Sequence, residues 1–215
     1  KGRYGNKGKY NVLCPDCGAV TLVDDWQAEE STCTECFAKF DASEGHVSRG
    51  GYYNCPECGQ KEGITDAIAE QGKPDERLYA VEYYCEECED VGEAKSVYKG
   101  YKRAEVADEQ LYQEAVDEWE RRTDLHEYVP SEEIPEGAIT AASSLSGNDV
   151  FQHGYEQWKE MFNRRQLLSL SKLLKSISSF TNKNIKEYLI LVFSETRNYV
   201  NSMSIYQPST QKGVN

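Results

Sequence analysis

Three observations predict an α+β chain. Four Cys-x-x-Cys pairs all fall before residue 89, short β-rich runs flank them, and helically spaced apolar residues are concentrated after residue 104. Two residues between thiols let both sulfurs reach one tetrahedral metal ion from a single tight turn. The predicted architecture is two tandem four-cysteine zinc ribbons of short antiparallel strands, followed by a helix, a linker and a small helical unit. The expected divisions are a basic, glycine-rich lead-in (1–10), ribbon 1 (11–48), ribbon 2 (49–103), an amphipathic helix (104–128), an acidic Pro/Gly/Ser linker (129–150) and a basic helical unit (151–215).

The four knuckles are Cys14-Pro15-Asp16-Cys17, Cys33-Thr34-Glu35-Cys36, Cys55-Pro56-Glu57-Cys58 and Cys85-Glu86-Glu87-Cys88. Proline after the first cysteine presets φ, and Gly18 and Gly59 after the second permit a positive φ that aims backbone N–H groups at the sulfurs. Fifteen residues separate the first two knuckles and 26 the last two, the longer gap holding an inserted loop around Gly63–Pro74, so each pair suits a four-thiolate ribbon. The gap between the second and third knuckles, 18 residues, also allows that pairing, and length permits an interleaved cross-brace. Flanking strands favour consecutive pairing: Tyr10–Leu13 enters the first knuckle and Ala19–Val23 leaves it, while Tyr52–Asn54 and Leu78–Tyr84 deliver the third and fourth.

The expected ligands are thus Cys14, Cys17, Cys33 and Cys36 for one Zn²⁺, and Cys55, Cys58, Cys85 and Cys88 for a second. Four thiolates leave no coordination position for water, which points to structural rather than catalytic metal. Iron takes the same donor set. A redox thiol pair needs a helix N-terminus in a thioredoxin-like pattern, and four pairs at ribbon spacing argue against it. His46, His126 and His153 are scattered and lack ligand spacing. No run approaches the ~18 apolar residues of a membrane span, and Lys1–Gly5 is polar, unlike a signal peptide. A reducing cytoplasm is the expected location, with the cysteines as thiols or metal ligands rather than disulfides.

After the knuckles, 96–102 reads as a last strand and Val106–Arg122 as a helix with Leu111, Ala115 and Trp119 on its apolar stripe. Asn163 is a suitable N-cap for a helix to about Ser179, with Leu167, Leu170, Leu174 and Ile177 on one face and Arg165, Ser169, Lys172 and Ser176 opposite. A second helix carries Ile185, Tyr188, Leu189, Val192 and Phe193. With Ile190 and Leu191 added it is apolar nearly all round, which predicts burial.

Charge follows the same division. The net charge is -13, but residues 1–150 hold 33 acidic and 15 basic side chains, and 151–215 hold 4 and 9. Each Zn²⁺ on four thiolates carries a further -2, so two such sites would make the chain about -17. Phosphates would avoid the Glu86–Asp90 region. Arg164, Arg165, Lys172 and Lys175 on the basic helix are the candidate nucleic-acid contacts.

Tandem knuckles, then Ile134-Pro135, Gly154-Tyr155-Glu156-Gln157-Trp158, and Met161-Phe162-Asn163-Arg164-Arg165-Gln166-Leu167-Leu168-Ser169-Leu170, resemble the middle of the zinc-ribbon-containing adenine-specific DNA methylases. Glu187-Tyr188-Leu189 and Asn201-Ser202 resemble the family's following helix and turn. Two departures are Arg164, where members often have proline, and the order Gly154-Tyr155. The specific part of the resemblance is 134–202; the knuckles are generic.

The resemblance implies a parent enzyme that transfers methyl from S-adenosylmethionine to the exocyclic amine of adenine in DNA. Such chemistry uses a glycine-rich cofactor loop and a [D/N]-P-P-Y loop acting on a flipped base. This sequence has no adjacent prolines and no Gly-x-Gly after a strand, so no catalytic residue is assigned and the segment itself is expected to be inactive. The implied partners are DNA, the remaining methylase domain and other subunits of a modification or defence system. Frame continuing on both sides is expected, with a role in target handling or in bracing the catalytic domain. The alternative is a stand-alone, non-enzymatic tandem-ribbon adaptor in transcription or RNA processing.

Overall fold

Short antiparallel hairpins organise the described residues of the N-terminal half of the chain. A computed structural model describes residues 2–4, 9–25, 27–43, 47–48, 51–55, 57–90, 99–137, 150–197, 200–201, 205–207 and 212–214. It is a mixed α+β structure, with short antiparallel strand pairs and five α-helices among the described residues. Two units, Lys1–Glu109 and Gln110–Asn215, divide within one helix. The compositional change lies further on, at 129–150.

In the first unit, β1 (Gly2–Tyr4), β2 (Lys9–Leu13) and β3 (Val20–Val23) form an antiparallel sheet. Part of the lead-in is therefore strand, with Gly2 opposite Asn11. Leu13 pairs with Val20, so the first knuckle is the loop of the β2–β3 hairpin. The second knuckle is likewise the loop between β4 (Ser31–Thr32) and β5 (Lys39–Phe40). Alternation along these strands aims Val12, Cys14, Ala19, Val23, Cys33, Phe40 and Ala42 into one small core.

β6 (Val47–Ser48), β7 (Tyr52–Asn54) and β8 (Lys61–Gly63) make a second three-stranded sheet, with the third knuckle between β7 and β8. α1 (Ile64–Gln71) follows at once, where the sequence suggested an inserted loop. Ile64, Ala67 and Ile68 share a helical stripe and Asp66 lies in the first turn, so its signal was present. β9 (Ala80–Tyr84) leads to α2 (Glu86–Asp90) and pairs with β10 (Lys99–Arg103). The expected last strand begins at 96, and its first three residues lie outside the described set. No described residue of 51–90 is buried, so this stretch has no apolar core of its own there.

The second unit packs on α3 (Val106–Arg121), which stops in a 3-10 turn, Thr123–Tyr128. Trp119, Leu125 and Leu168 are its centre, flanked by Ala115, Val129 and Leu167. Leu111, expected on the apolar stripe, is exposed. Ile134, Val150 and Tyr155 form a second cluster with Met161, and Ile134 N–H donates to the Glu156 carbonyl at 2.8 Å. That contact gives the Ile-Pro segment a fixed place; 138–149 lie outside the described residues.

α4 (Arg164–Ser178) begins as its sequence dictates. Asn163 accepts from Gln166 N–H at 2.9 Å, and the Gln166 side chain accepts from Asn163 N–H at 2.9 Å. This reciprocal box satisfies two otherwise orphaned donors, and such caps contribute about 1 kcal/mol. Its buried positions are Leu168, Ser171 and Ile177, a stripe rotated from the one read off the leucines. α5 (Lys183–Arg197) has no buried residue, and Ile185, Tyr188, Leu191 and Val192 are exposed, where periodicity predicted burial. A hairpin of β11 (Ile205–Gln207) and β12 (Lys212–Val214) follows. No helix of the described residues is long and apolar enough to cross a membrane.

Candidate metal centre

The first two knuckles bring their four thiols together. Cys14, Cys17, Cys33 and Cys36 have every sulfur within 4.8 Å of the others. Cys14 Sγ lies 3.7 Å from Cys36 Sγ, and Cys17 Sγ lies 3.6 Å from Cys33 Sγ. A regular tetrahedron with metal–sulfur bonds of ~2.3 Å has edges of about 3.8 Å. The observed separations are close to that edge and far longer than a disulfide bond. No disulfide joins the described cysteines. The close pairs cross between knuckles, so consecutive pairing of the first two is the arrangement the fold adopts.

Each of these two knuckles contributes one buried and one exposed thiol. Cys14 and Cys33 are 2% and 1% exposed and belong to the apolar core, while Cys17 and Cys36 face solvent. A metal ion held by all four would seal the open end of that core.

The turn itself explains the placement. Cys14 N–H donates to Ala19 O, Cys33 N–H to Ala38 O and Cys55 N–H to Gln60 O, each at 2.9 Å. In all three, the residue after the second cysteine has positive φ: Gly18 at 67°, Phe37 at 61° and Gly59 at 72°. Glycine at two of these positions was legible. Phe37 is not glycine, is 76% exposed, and adopts the same left-handed conformation because the knuckle requires it. The turn also directs N–H groups at sulfur: Glu35 N–H donates to Cys33 Sγ at 3.4 Å.

These contacts set the thiol chemistry. The N–H of Cys36 is the largest influence on Cys33; with the N–H of Glu35 and the Thr21 hydroxyl it lowers that thiol to about 6, against the effect of burial. Ala38 N–H draws Cys36 down, but the adjoining thiols, Cys17 foremost, outweigh it and push Cys36 up to about 12. One sulfur is thus ready to ionise and another resists, because four thiolates this close repel without a cation between them.

Two arginines from 49–103 reach this centre. Arg77 Nη1 donates to the Gly18 carbonyl in the first knuckle. Arg103 Nη2 donates to Glu35 Oε1 at 2.9 Å in the second. Neither was singled out from sequence, and their positions, 59 and 68 residues from their partners, carry no local signal.

The second predicted set is only partly assembled among the described residues. The third knuckle has the same turn, and Cys55 is lowered by the N–H of Cys58 first. Cys85 follows β9 and the fourth knuckle continues as the helix α2; Glu89 N–H donates to Cys85 O at 3.2 Å, as Gly18 N–H does to Cys14 O, but Glu89 lacks the positive φ found after the other three. The Cys88 thiol lies outside the described side chains. Among the described residues, Cys14, Cys17, Cys33 and Cys36 form the one group close enough to hold a metal.

The four candidate phosphate contacts lie on α4, and three meet carboxylates of their own unit. Arg164 Nε donates to Glu120 Oε1, Lys172 Nζ pairs with Glu118 Oε1 and Lys175 Nζ with Asp124 Oδ2, each at 2.6 Å. Arg122 donates to Asp124 as well, at 2.7 Å. Together Arg122, first, and Lys175 hold Asp124 far below the ordinary carboxylate range, and Lys172 lowers Glu118. Arg165 is exposed on the solvent face. Of the histidines, His126 Nε2 lies 3.2 Å from the Trp119 carbonyl oxygen and its ring is 4.4 Å from the indole, and His46 is outside the described residues.

Comparison with protein-family models, curated proteins and solved structures gives no match.

Proposed function

We propose that Cys14, Cys17, Cys33 and Cys36 hold one structural Zn²⁺, and that the chain is a metal-stabilised architectural segment. The observation that carries this is the pair of sulfur separations, 3.6 and 3.7 Å, at the edge length a four-thiolate Zn²⁺ site needs. A closed set of four sulfurs leaves no position for a reacting water, which supports a structural role. The core beneath it is seven residues, and metal binding supplies folding free energy that so small a core lacks.

A second Zn²⁺ on Cys55, Cys58, Cys85 and Cys88 belongs to the same proposal. Its support is the third knuckle's turn and the absence of buried residues among the described part of 51–90. Through its resemblance to the zinc-ribbon-containing adenine-specific DNA methylases, the chain is assigned to an S-adenosylmethionine-dependent parent. There it braces the remaining methylase domain or docks another subunit. Bracing is favoured over gripping DNA because Arg164, Lys172 and Lys175 are already engaged by carboxylates.

Metal analysis of the purified chain tests the first part. Two zinc ions per chain, released with loss of secondary structure on chelation, are expected; iron, or no metal at all, overturns it. DNA binding tests the second. Charge reversal of Arg165, Lys172 and Lys175 is expected to leave affinity and its salt dependence unchanged, and a shallower salt slope would restore direct contact through α4.

A further inference from the structure

The hydroxyl of Thr21 is buried on the strand that leaves the first knuckle. Thr21 is 1% exposed, and its Oγ1 makes no hydrogen bond of ordinary geometry. A buried hydroxyl left so costs about 1–3 kcal/mol, which valine, its near-isostere and a better strand residue, would avoid.

Its position is informative. Thr21 lies in β3, opposite Val12 of β2. Alternation places it on the same face as Ala19 and Val23, both of which pack in the cluster that contains Cys14 and Cys33. The unpartnered oxygen therefore sits within the wall of the four-cysteine site, on the side of its two buried thiols. Valine or isoleucine would satisfy packing there. A hydroxyl adds one rotatable O–H donor, and the strongest acceptor the site would offer is a sulfur carrying charge.

We infer that Thr21 is a positioning residue of the metal centre, donating its O–H to the Cys33 thiolate once a metal is bound. The inference rests on the zinc reading of the four cysteines. An O–H···S bond would spread the charge of a sulfur that solvent cannot reach and hold its lone pair toward the ion. Outer partners of this kind change metal affinity by roughly 10- to 100-fold when removed.

The test uses the full chain loaded with cadmium, whose nuclear spin couples to ligand protons and to protons hydrogen-bonded to a ligand sulfur. Coupling between the ion and the β-protons of Cys14, Cys17, Cys33 and Cys36 is expected, together with a coupling to the Thr21 hydroxyl proton. Thr21→Val should then lose the ion that couples to Cys33 about 10-fold faster to a chelator, while Thr21→Ser restores the wild-type rate. If Thr21→Val does not fold, Thr21→Ala against Thr21→Ser makes the same comparison. Intact coupling to all four cysteines, with no hydroxyl coupling and equal release from Thr21→Val and wild type, overturns the role of Thr21 and leaves the metal reading standing. Absence of coupling to those four cysteines overturns the metal reading itself.

Discussion

Acidifying the metal-loaded centre should release its ion with a steepness that counts the thiols. Four thiols must become thiolates to complete the site. In the metal-free fold Cys33 is lowered to about 6, by the N–H of Cys36 foremost, so above that pH it has largely lost its proton already. Cys17 is raised and Cys36 stands at about 12, so both still carry theirs. Metal binding near pH 7 therefore displaces at least about two protons, rising to at least about three below pH 6. Apparent affinity should fall at least roughly a hundredfold for each pH unit lost near neutrality, about 3 kcal/mol, and more steeply below. The sign is fixed: protons and metal compete for the same sulfurs, so acid weakens binding. A chain with Cys55, Cys58, Cys85 and Cys88 changed to serine isolates the centre. Chelator competition across pH gives the slope, and calorimetry in buffers of different ionisation enthalpy counts released protons independently. A release of one proton or none per ion near pH 7 would refute the four-thiolate site.

Three further outcomes are expected. Leu125→Ala, at a side chain with no exposed surface between Trp119 and Leu168, should destabilise the second unit by about 2–5 kcal/mol, and a melting shift below a few degrees would show that the cluster is not its core. Asp124 is depressed by Arg122 and Lys175, so its contribution is full above the ordinary carboxylate range and lost as pH falls through its lowered value; helical signal followed in acid should show that loss in the wild type and a flatter profile in Asp124→Asn. The purified chain should transfer no methyl group from S-adenosylmethionine to adenine in DNA, and labelled product above background would place catalytic residues within these 215 positions.

Much of the metal centre was legible because its chemistry is local. Two residues between thiols, Gly18 after the first knuckle and β-rich runs on either side specify a hairpin loop whatever else the chain does. The Asn163 cap was legible for the same reason, since donor and acceptor are three residues apart. Phe37 shows where a local rule is too narrow: the knuckle needs a positive φ, glycine is the cheapest way to supply it, and the surrounding turn imposed it on phenylalanine. The fourth knuckle shares the spacing of the others but ends in a helix, because Glu86, Glu87 and Glu89 favour a first helical turn and nothing there supplies a positive φ.

What the amino-acid order determined alone was the set of ligand-bearing loops, the helix starts and the separation of acidic from basic composition. Tertiary structure decided how those pieces are used. It joined knuckle one to knuckle two, placed Arg77 and Arg103 against both turns, and enclosed the Thr21 hydroxyl in the same wall. It also turned a basic helical face into ion pairs with Glu118, Glu120 and Asp124. The physical reason is range. Turn geometry and capping act over three to five residues, where sequence spacing is distance; pairing of charges, thiols and apolar faces acts through space, where only the folded chain sets which groups meet.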